Sequence, residues 1–410
     1  MSQQGPIIAV SHTGRPSFAA ALGDAKMFPV IEATWADAAR AVAQLQPAAV
    51  LVEMSQIPAS GFDILATQIA GTRPYLPLIA IDPDTSLPEN AIPFSQAVGA
   101  PDRLIARLRA ALRVRTLHAT VIRRLDDDPV AGMMLSDSDP IRDATVLLIG
   151  RGAAFPALSV ALGERVGVVG ALSVEAAAKH LNVRDIDGIV LAEGFSPRVV
   201  DAFLTVLSED ARFRSLPIVV TSEDLAPAYD LPNLEIVSGD PGRIAANALP
   251  LIRLHAFEAY LGRTLRSIDA GGLLDPRTGL LTSTAFQRDL TTAVDQALSR
   301  GGGLSAARIT FHPASERALL DGARILSRLM RQMDFGAVQE DGSILVAFSE
   351  TDLRTAHTIA RRLTSVMRHT SNDSRDIRSA PEVALATLMP TDTTKSLLGR
   401  LYDEARRAAS

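Results

Sequence analysis

Short apolar runs bounded by turn residues recur through the first 260 or so residues. Ile7–Val10, Pro29–Ile31, Ala49–Val52 and Leu78–Ile81 read as strands, and Arg103–Arg113 follows with helical spacing. The set then repeats as Thr145–Ile149, Val166–Val169, Ile189–Leu191, Ile218–Thr221 and a helical stretch Ile244–Leu254. Runs that are apolar throughout predict strands buried on both faces, hence parallel, doubly wound sheets. Pro77 maps on Pro217, Pro101 on Pro241, Leu51 on Leu191 and Glu53 on Glu193, all 140 residues apart. Two tandem copies of one α/β unit, residues 1–124 and 140–262, account for this spacing. Asp126-Asp127-Asp128-Pro129 reads as an exposed break between them.

The pattern changes in the last third. A helix through His255–Leu265 leads to a flexible joint, Asp269-Ala270-Gly271-Gly272. Beyond it, residues 270–410 alternate strands (Ala307–Phe311, Ile344–Phe348) with helices, one starting at Phe286 and another over Ala318–Met330. Long helices close the segment after Asp352 and at Leu397–Arg406. This is an α+β arrangement with a hairpin between Met330 and Ile344.

Composition narrows the function classes. The chain has 410 residues, enough for two to four domains, and is 47% hydrophobic. No apolar run approaches the ~18 residues needed to cross a bilayer. Met1–Pro6 carry no basic segment ahead of an apolar stretch, so no signal peptide is expected and a cytoplasmic protein is. The absence of cysteine excludes disulfides, thiol catalysis and Cys-ligated metal. The balance of 41 basic against 46 acidic residues argues against a nucleic-acid partner. Only Lys26, Lys179 and Lys395 are lysine. Base-composition bias explains that preference for arginine, which is not itself a clue to function. Gly150-Arg151-Gly152-Ala153-Ala154-Phe155 is a poor dinucleotide-binding turn, because Phe155 is too bulky for its third glycine position.

The two repeats resemble receiver domains of two-component systems. Pro47-Ala48-Ala49-Val50-Leu51-Val52-Glu53 with Gly61-Phe62, Leu76-Pro77-Leu78-Ile79-Ala80-Ile81, and Pro101-Asp102-Arg103-Leu104-Ile105-Ala106-Arg107-Leu108 carry the resemblance. It implies an acidic pair holding Mg²⁺, an aspartate that takes the phosphoryl group, and a lysine beside it. The pair positions hold Ser11 and His12 in one copy, Gly150 and Arg151 in the other. The acceptor positions hold Glu53 and Glu193, and the lysine positions fall near Ala97 and Val237. Phosphoryl transfer needs carboxylates to hold the metal, so neither copy is expected to accept phosphate. Glu53 and Glu193 either imitate a phosphorylated aspartate or merely end a strand facing water.

The last third resembles a GGDEF domain, the fold of diguanylate cyclases. Leu274-Asp275-Pro276-Arg277-Thr278-Gly279-Leu280-Leu281 matches the domain's opening, and its closing segment is Leu401-Tyr402-Asp403-Glu404-Ala405-Arg406. The signature falls on Glu340-Asp341-Gly342-Ser343-Ile344, with carboxylates at both glycine sites, Gly342 at the metal site and Ser343 at the catalytic acid. The first strand, Ala307-Arg308-Ile309-Thr310-Phe311, lacks the second metal aspartate, and the guanine-binding loop before Arg317 is missing. The resemblance therefore implies no catalytic residue, no metal and no cofactor. The fold expectation is two flavodoxin-like domains followed by a nucleotidyl-cyclase-like α+β domain.

One family feature persists. Arg331-Gln332-Met333-Asp334 stands where diguanylate cyclases carry the Arg-x-x-Asp site for their product, cyclic di-GMP. The same pattern begins at Arg123, Arg124, Arg184, Arg266 and Arg400, so position alone gives it weight. Arginine's planar fork suits a phosphate or the O6/N7 edge of guanine, and Asp334 suits guanine N1–H and amino groups. Arg362, with Arg361 beside it, is the expected second arginine.

The layout resembles that of response regulators of the PleD/PopA type. It implies a cyclic di-GMP effector localised at the cell pole, an adaptor that brings cell-cycle regulators to a protease. The alternative is a nucleotide-independent scaffold acting through receiver-mediated dimerisation. A homodimer is expected through the apolar faces Leu104–Leu112 and Ile244–Leu254, with no membrane partner.

Overall fold

In a computed structural model, three sheets follow one another along the chain. It describes residues 5–14, 16–25, 29–54, 61–83, 87–96, 101–126, 139–221, 229–312, 314–367 and 380–408. Asp127–Pro129 and Ala97 lie outside those residues.

The first unit runs β1 (Ile7–Ser11), α1 (Ala19–Asp24), β2 (Val30–Thr34), α2 (Trp35–Leu45), β3 (Ala49–Glu53), α3 (Gly61–Ala70), β4 (Leu78–Ile81), β5 (Ala91–Phe94) and α4 (Pro101–Asp126). The strands are parallel in the order β2-β1-β3-β4-β5, the doubly wound flavodoxin-like order. Both sides of each central strand are covered. Ile7, Ala9, Leu51 and Ile79 pack with Phe18, Leu22, Leu104 and Leu108, while Ile8, Val10, Val50 and Leu78 pack with Val42, Phe62, Leu65 and Ile69. That two-sided burial is why these strands read as unbroken apolar runs.

The second unit repeats the plan with β6 (Thr145–Ile149), α5 (Phe155–Gly163), β7 (Gly167–Ala171), α6 (Val174–Val183), β8 (Gly188–Leu191), α7 (Pro197–Glu209), β9 (Ile218–Val220), β10 (Leu234–Ile236) and α8 (Pro241–Asp269). Its order, β7-β6-β8-β9-β10, is equivalent. In both units the link from the fourth to the fifth strand holds no helix among the described residues.

The repeat shifts by one residue inside the sheet. Val50 pairs with Leu78, but Ile189, not Val190, pairs with Ile218. Leu51 is therefore matched by Val190 and Glu53 by Ala192, correcting the expected equivalences with Leu191 and Glu193. A uniform spacing was read from prolines outside the strand, which do not report its register. The prolines themselves do correspond: Pro101 and Pro241 open the last helices, and the Pro77 and Pro217 carbonyls accept from strand three at 2.9 and 2.8 Å.

α8 is a second correction. The stretches Ile244–Leu254 and His255–Leu265 form one helix of 29 residues, so the boundary expected at residue 262 falls inside it. Asp240 caps it through the amides of Gly242 and Arg243, with proline at its first position. Pro250 interrupts the sequence pattern but not the helix, because Leu251, Leu254 and Leu261 continue one buried stripe against α4. α4 likewise outruns the predicted Arg103–Arg113.

The third sheet is antiparallel, ordered β12-β13-β11-β14, from β11 (Leu304–His312), β12 (Phe335–Val338), β13 (Ile344–Ser349) and β14 (Ala380–Thr387). α10 (Glu316–Leu329) and α11 (Leu353–Met367) cover Ile309, Phe311, Val346 and Phe348 on one face. α9 (Ser283–Arg300) and α12 (Thr394–Ala408) cover Leu304, Ala306, Leu345 and Ala347 on the other.

Arginines join the units. Arg107, on α4 and 0% exposed, donates to the Pro93 carbonyl on edge strand β5 and to the Pro232 and Leu234 carbonyls at edge strand β10. It also pairs with buried Glu235 at 2.7 Å. Arg103 donates to the Leu234 carbonyl. The edges of both sheets are thereby closed. The faces expected to form a homodimer are spent within one chain: Leu108 and Leu112 pack in the same cluster as Leu251 and Leu254, and Ile244 and Ile252 fill the second unit's own core.

The second and third units meet along α10. Arg317, Asp321, Arg324 and Arg328 recur at helical spacing on one face. Arg317 reaches the Val166 carbonyl at 2.7 Å, Arg324 the Asp143 carbonyl at 2.7 Å, and Arg328 the Arg184 carbonyl at 2.8 Å. Arg184 in turn pairs with Asp321 and donates to the Val366 carbonyl. The arginine content set aside as compositional bias thus has a structural use.

Arg107→Ala takes the ion-pair partner from Glu235 and the donors from the Pro93 and Pro232 carbonyls in a closed seam, leaving the Leu234 carbonyl to Arg103. It should lower unfolding stability by about 3–5 kcal/mol. Arg113→Ala, which breaks the more exposed Arg113–Glu258 bridge, should cost under about 1 kcal/mol. Urea titrations of the full chain followed by circular dichroism compare the two.

Candidate nucleotide-binding site

The signature segment forms the tip of the β12–β13 hairpin. Gln339 N–H donates to the Ser343 carbonyl at 2.8 Å and Gly342 N–H to the Gln339 carbonyl at 3.0 Å. Gly342 has φ +74°, the left-handed conformation that a side chain resists. Asp341 Oδ1 accepts from Ser343 N–H at 2.9 Å and Ser343 Oγ at 2.5 Å. Its Oδ2 meets the Arg308 guanidinium at 3.0 Å. Arg308 lies 5.0 Å over the Tyr402 ring of α12. Burial opposes ionisation of Asp341, but the Ser343 and Arg308 hydrogen bonds win and hold its carboxyl below the usual range.

β11 thus carries a cation, Arg308, already neutralised by the hairpin. Only residues 313–315 connect β11 to α10, which leaves the short loop read from the sequence. Among the described residues, no group of three or more His, Asp or Glu is gathered as a metal ion would require. The Arg308–Asp341 pairing escaped sequence reading, although a basic residue at an expected acidic position was its signal.

The Arg331–Asp334 turn sits at the other end of β12. Asp334 N–H donates to the Arg331 carbonyl at 3.0 Å. Asp334 is 7% exposed, and its Oδ1 accepts from Ser349 N–H at 3.2 Å. Ser349 Oγ donates to the Met333 carbonyl at 2.9 Å. Arg331 is exposed, as is Met333. The carboxylate is therefore a brace for the turn as well as a candidate ligand group, whereas the sequence suggested only the latter. Burial raises its pKa, against the opposing effects of the Ser349 amide and Arg331. Arg361 and Arg362 are exposed on α11, which packs beside α10. Arg362 stands roughly 13 Å along the axis from Leu353.

The two upper pockets, at the carboxyl ends of the parallel strands in each unit, differ. Glu53 accepts from Ser17 Oγ at 3.1 Å, and the Oγ of Ser11 is buried without a partner. In the second unit Arg151 donates to the Leu172 carbonyl and lies 5.4 Å over Phe195. Glu193 closes over Gly152, whose backbone leaves no room for a Cβ. Val237 is buried. No helix in the described residues is long and apolar enough to cross a membrane.

No protein-family model matches the chain, and no curated protein does. Among solved structures, it is similar to a sensory box/GGDEF family protein from Caulobacter crescentus, at 20% identity and TM-score 0.30 over 33% of this chain and 97% of that one. It is similar to the coiled coil and GGDEF domain of DgcB from Caulobacter crescentus in complex with c-di-GMP, at 16% identity and TM-score 0.31 over 36% of this chain and 87% of that one. The FimX GGDEF domain from Pseudomonas aeruginosa is a third, at 20% identity and TM-score 0.30 over 33% and 93%. These neighbours are GGDEF-domain proteins, and each is matched by about a third of this chain.

Arg308→Gln removes the charge that holds Asp341 ionised. The Asp341 carboxyl should then titrate at higher pH in a carbon-detected NMR titration. In the native chain its pKa is depressed, so the hairpin gains stability above the unfolded aspartate value of about 4 and loses it as pH falls below that. An unmoved Asp341 resonance in Arg308→Gln would show that Ser343 alone sets its charge.

Proposed function

We propose that the chain is a non-catalytic receptor for cyclic di-GMP, in which two receiver-like units carry a GGDEF-like unit that binds ligand but does no chemistry. As an adaptor it recruits protein partners, with regulated proteolysis as an output. The reading is carried by the Arg331–Asp334 turn: an exposed arginine fork beside a carboxylate fixed by the Ser349 amide. DgcB, one of the similar structures, was solved with that ligand bound, but the reading rests on this chain's residues.

Each element has a defined task. The Arg331 guanidinium takes a phosphate or a guanine edge, and Asp334 accepts from guanine N–H groups. Arg362 supplies a second fork from α11. Cyclase chemistry needs two metals held by carboxylates; Gly342 stands at one of those positions, and the first strand, Ala307–Phe311, holds no carboxylate for the other. Neither upper pocket has a carboxylate pair for Mg²⁺, so neither unit is phosphorylated. The burial of Asp334 favours one rival, a scaffold that binds no nucleotide.

Calorimetry on the full chain tests the reading. Cyclic di-GMP should bind, and Arg331→Ala should weaken it by about ten- to a hundred-fold, or about 1–3 kcal/mol. Arg331→Lys should restore little, because a point charge cannot reproduce the fork. Equal affinity in wild type and Arg331→Ala would place the ligand elsewhere, and no binding by either would leave the scaffold.

Two further outcomes follow from the geometry. Because burial raises the Asp334 pKa, affinity should begin to fall on acidification above the pH, about 4, at which an ordinary aspartate protonates. Asp334→Asn should bind weakly with no such dependence. With GTP and Mg²⁺ the chain should form no cyclic di-GMP. Restoring the hairpin with Glu340→Gly, Asp341→Gly, Gly342→Asp and Ser343→Glu should still give none while Arg308 remains, and product from that variant would overturn the role given to Arg308.

A further inference from the structure

A cleft of about 400 Å³ lies between the first unit and α8, remote in sequence from the Arg331 turn. One wall comes from the loop after α3 and the entry to β5, including Tyr75 and Asn90; His118 of α4 adds to it. The opposite wall is one face of α8, where Pro250, Arg253, Leu254, Phe257 and Tyr260 follow helical spacing. The volume is that of a small-molecule site rather than a packing defect.

We propose that this cleft binds an uncharged, planar aromatic molecule of two or three rings. Its aromatic lining is arranged for that ligand. Tyr75 and His118 meet Phe257 edge-to-face, at 5.9 and 5.1 Å between ring centroids. His118 Nδ1 accepts from Tyr75 N–H at 2.9 Å, so Nε2 carries the hydrogen and serves as a neutral donor. Burial, with Arg73 and Arg115 nearby, keeps that imidazole uncharged. Asn90 donates one amide hydrogen to the Ala66 carbonyl at 2.8 Å.

The charges disfavour a nucleotide. Arg73 and Arg253 share the lining with Glu89 and Asp139. Arg253 pairs with Asp139 at 2.9 Å, and Glu89 pairs with Arg165 at the rim. A phosphate approaching Arg253 would have to break its ion pair and would meet the Glu89 and Asp139 carboxylates. A neutral ring system keeps both pairs and fills the apolar space between Leu254 and Phe257. Because both units line the cleft, the ligand would hold them together.

The uncharged fluorophore N-phenyl-naphthylamine is the probe. It should bind the full chain saturably at one equivalent, with fluorescence enhancement. Ala70, exposed at the end of α3, also lines the cleft. Ala70→Trp should fill the cleft and weaken the probe by about tenfold or more, with an unchanged thermal midpoint. The anionic sulfonate analogue should bind about tenfold more weakly, and excess cyclic di-GMP should displace nothing. Unsaturable signal, or equal affinity in Ala70→Trp, would overturn the site. Equal binding of the sulfonate, or displacement by cyclic di-GMP, would overturn the ligand class.

Discussion

The arrangement of this molecule depends on arginine side chains satisfying backbone carbonyls across unit boundaries. A sheet edge presents unpaired polar groups, and a three-unit chain with two parallel sheets has several such edges to manage. Arg107 answers three carbonyls and one carboxylate from a single buried position. The guanidinium can do this because its donors are fixed in a plane and its hydration is weak. A lysine at the same place would offer fewer directed bonds and cost more to bury.

That seam constrains what lies beyond it. With α4 packed on α8, the second unit is held against the first, and α8 runs without a break to the start of the third. The α10 arginines then fix the third unit against the second, chiefly through main-chain carbonyls, whose positions do not vary with the side chain that carries them. The Arg331 turn directly follows α10 and is presented by a helix that cannot roll freely.

Most central strands were legible because two-sided burial writes a run that no helix of four or five residues would show. The edge strands β5 and β10 were not, since Pro93 and Glu235 break the apolar pattern and their partners are arginines far along the chain. α8 was read as the adjoining stretches Ile244–Leu254 and His255–Leu265, one given to the second repeat and one to the joint, whereas the stripe that makes them one helix is set by contact with α4. Arg331 and Arg362 are exposed, but the burial of Asp334 depends on Ser349, which only the pairing of β12 with β13 brings near. The one-residue shift that separates Glu53 from Glu193 is a register property, and register follows from pairing rather than from composition.

The candidate binding turn and the altered hairpin occupy opposite ends of one short strand. β12 spans four residues, Phe335–Val338, so roughly 13 Å separates them. The turn is braced by Asp334 on Ser349, and the hairpin tip by Asp341 on Arg308. The two braces share no residue. A change at the tip therefore leaves the turn's geometry untouched, provided β12 stays paired to β13. At the tip, Arg308 supplies positive charge and Asp341 answers it. The two ends of the hairpin can thus vary independently, because the charge balance at the tip is closed locally.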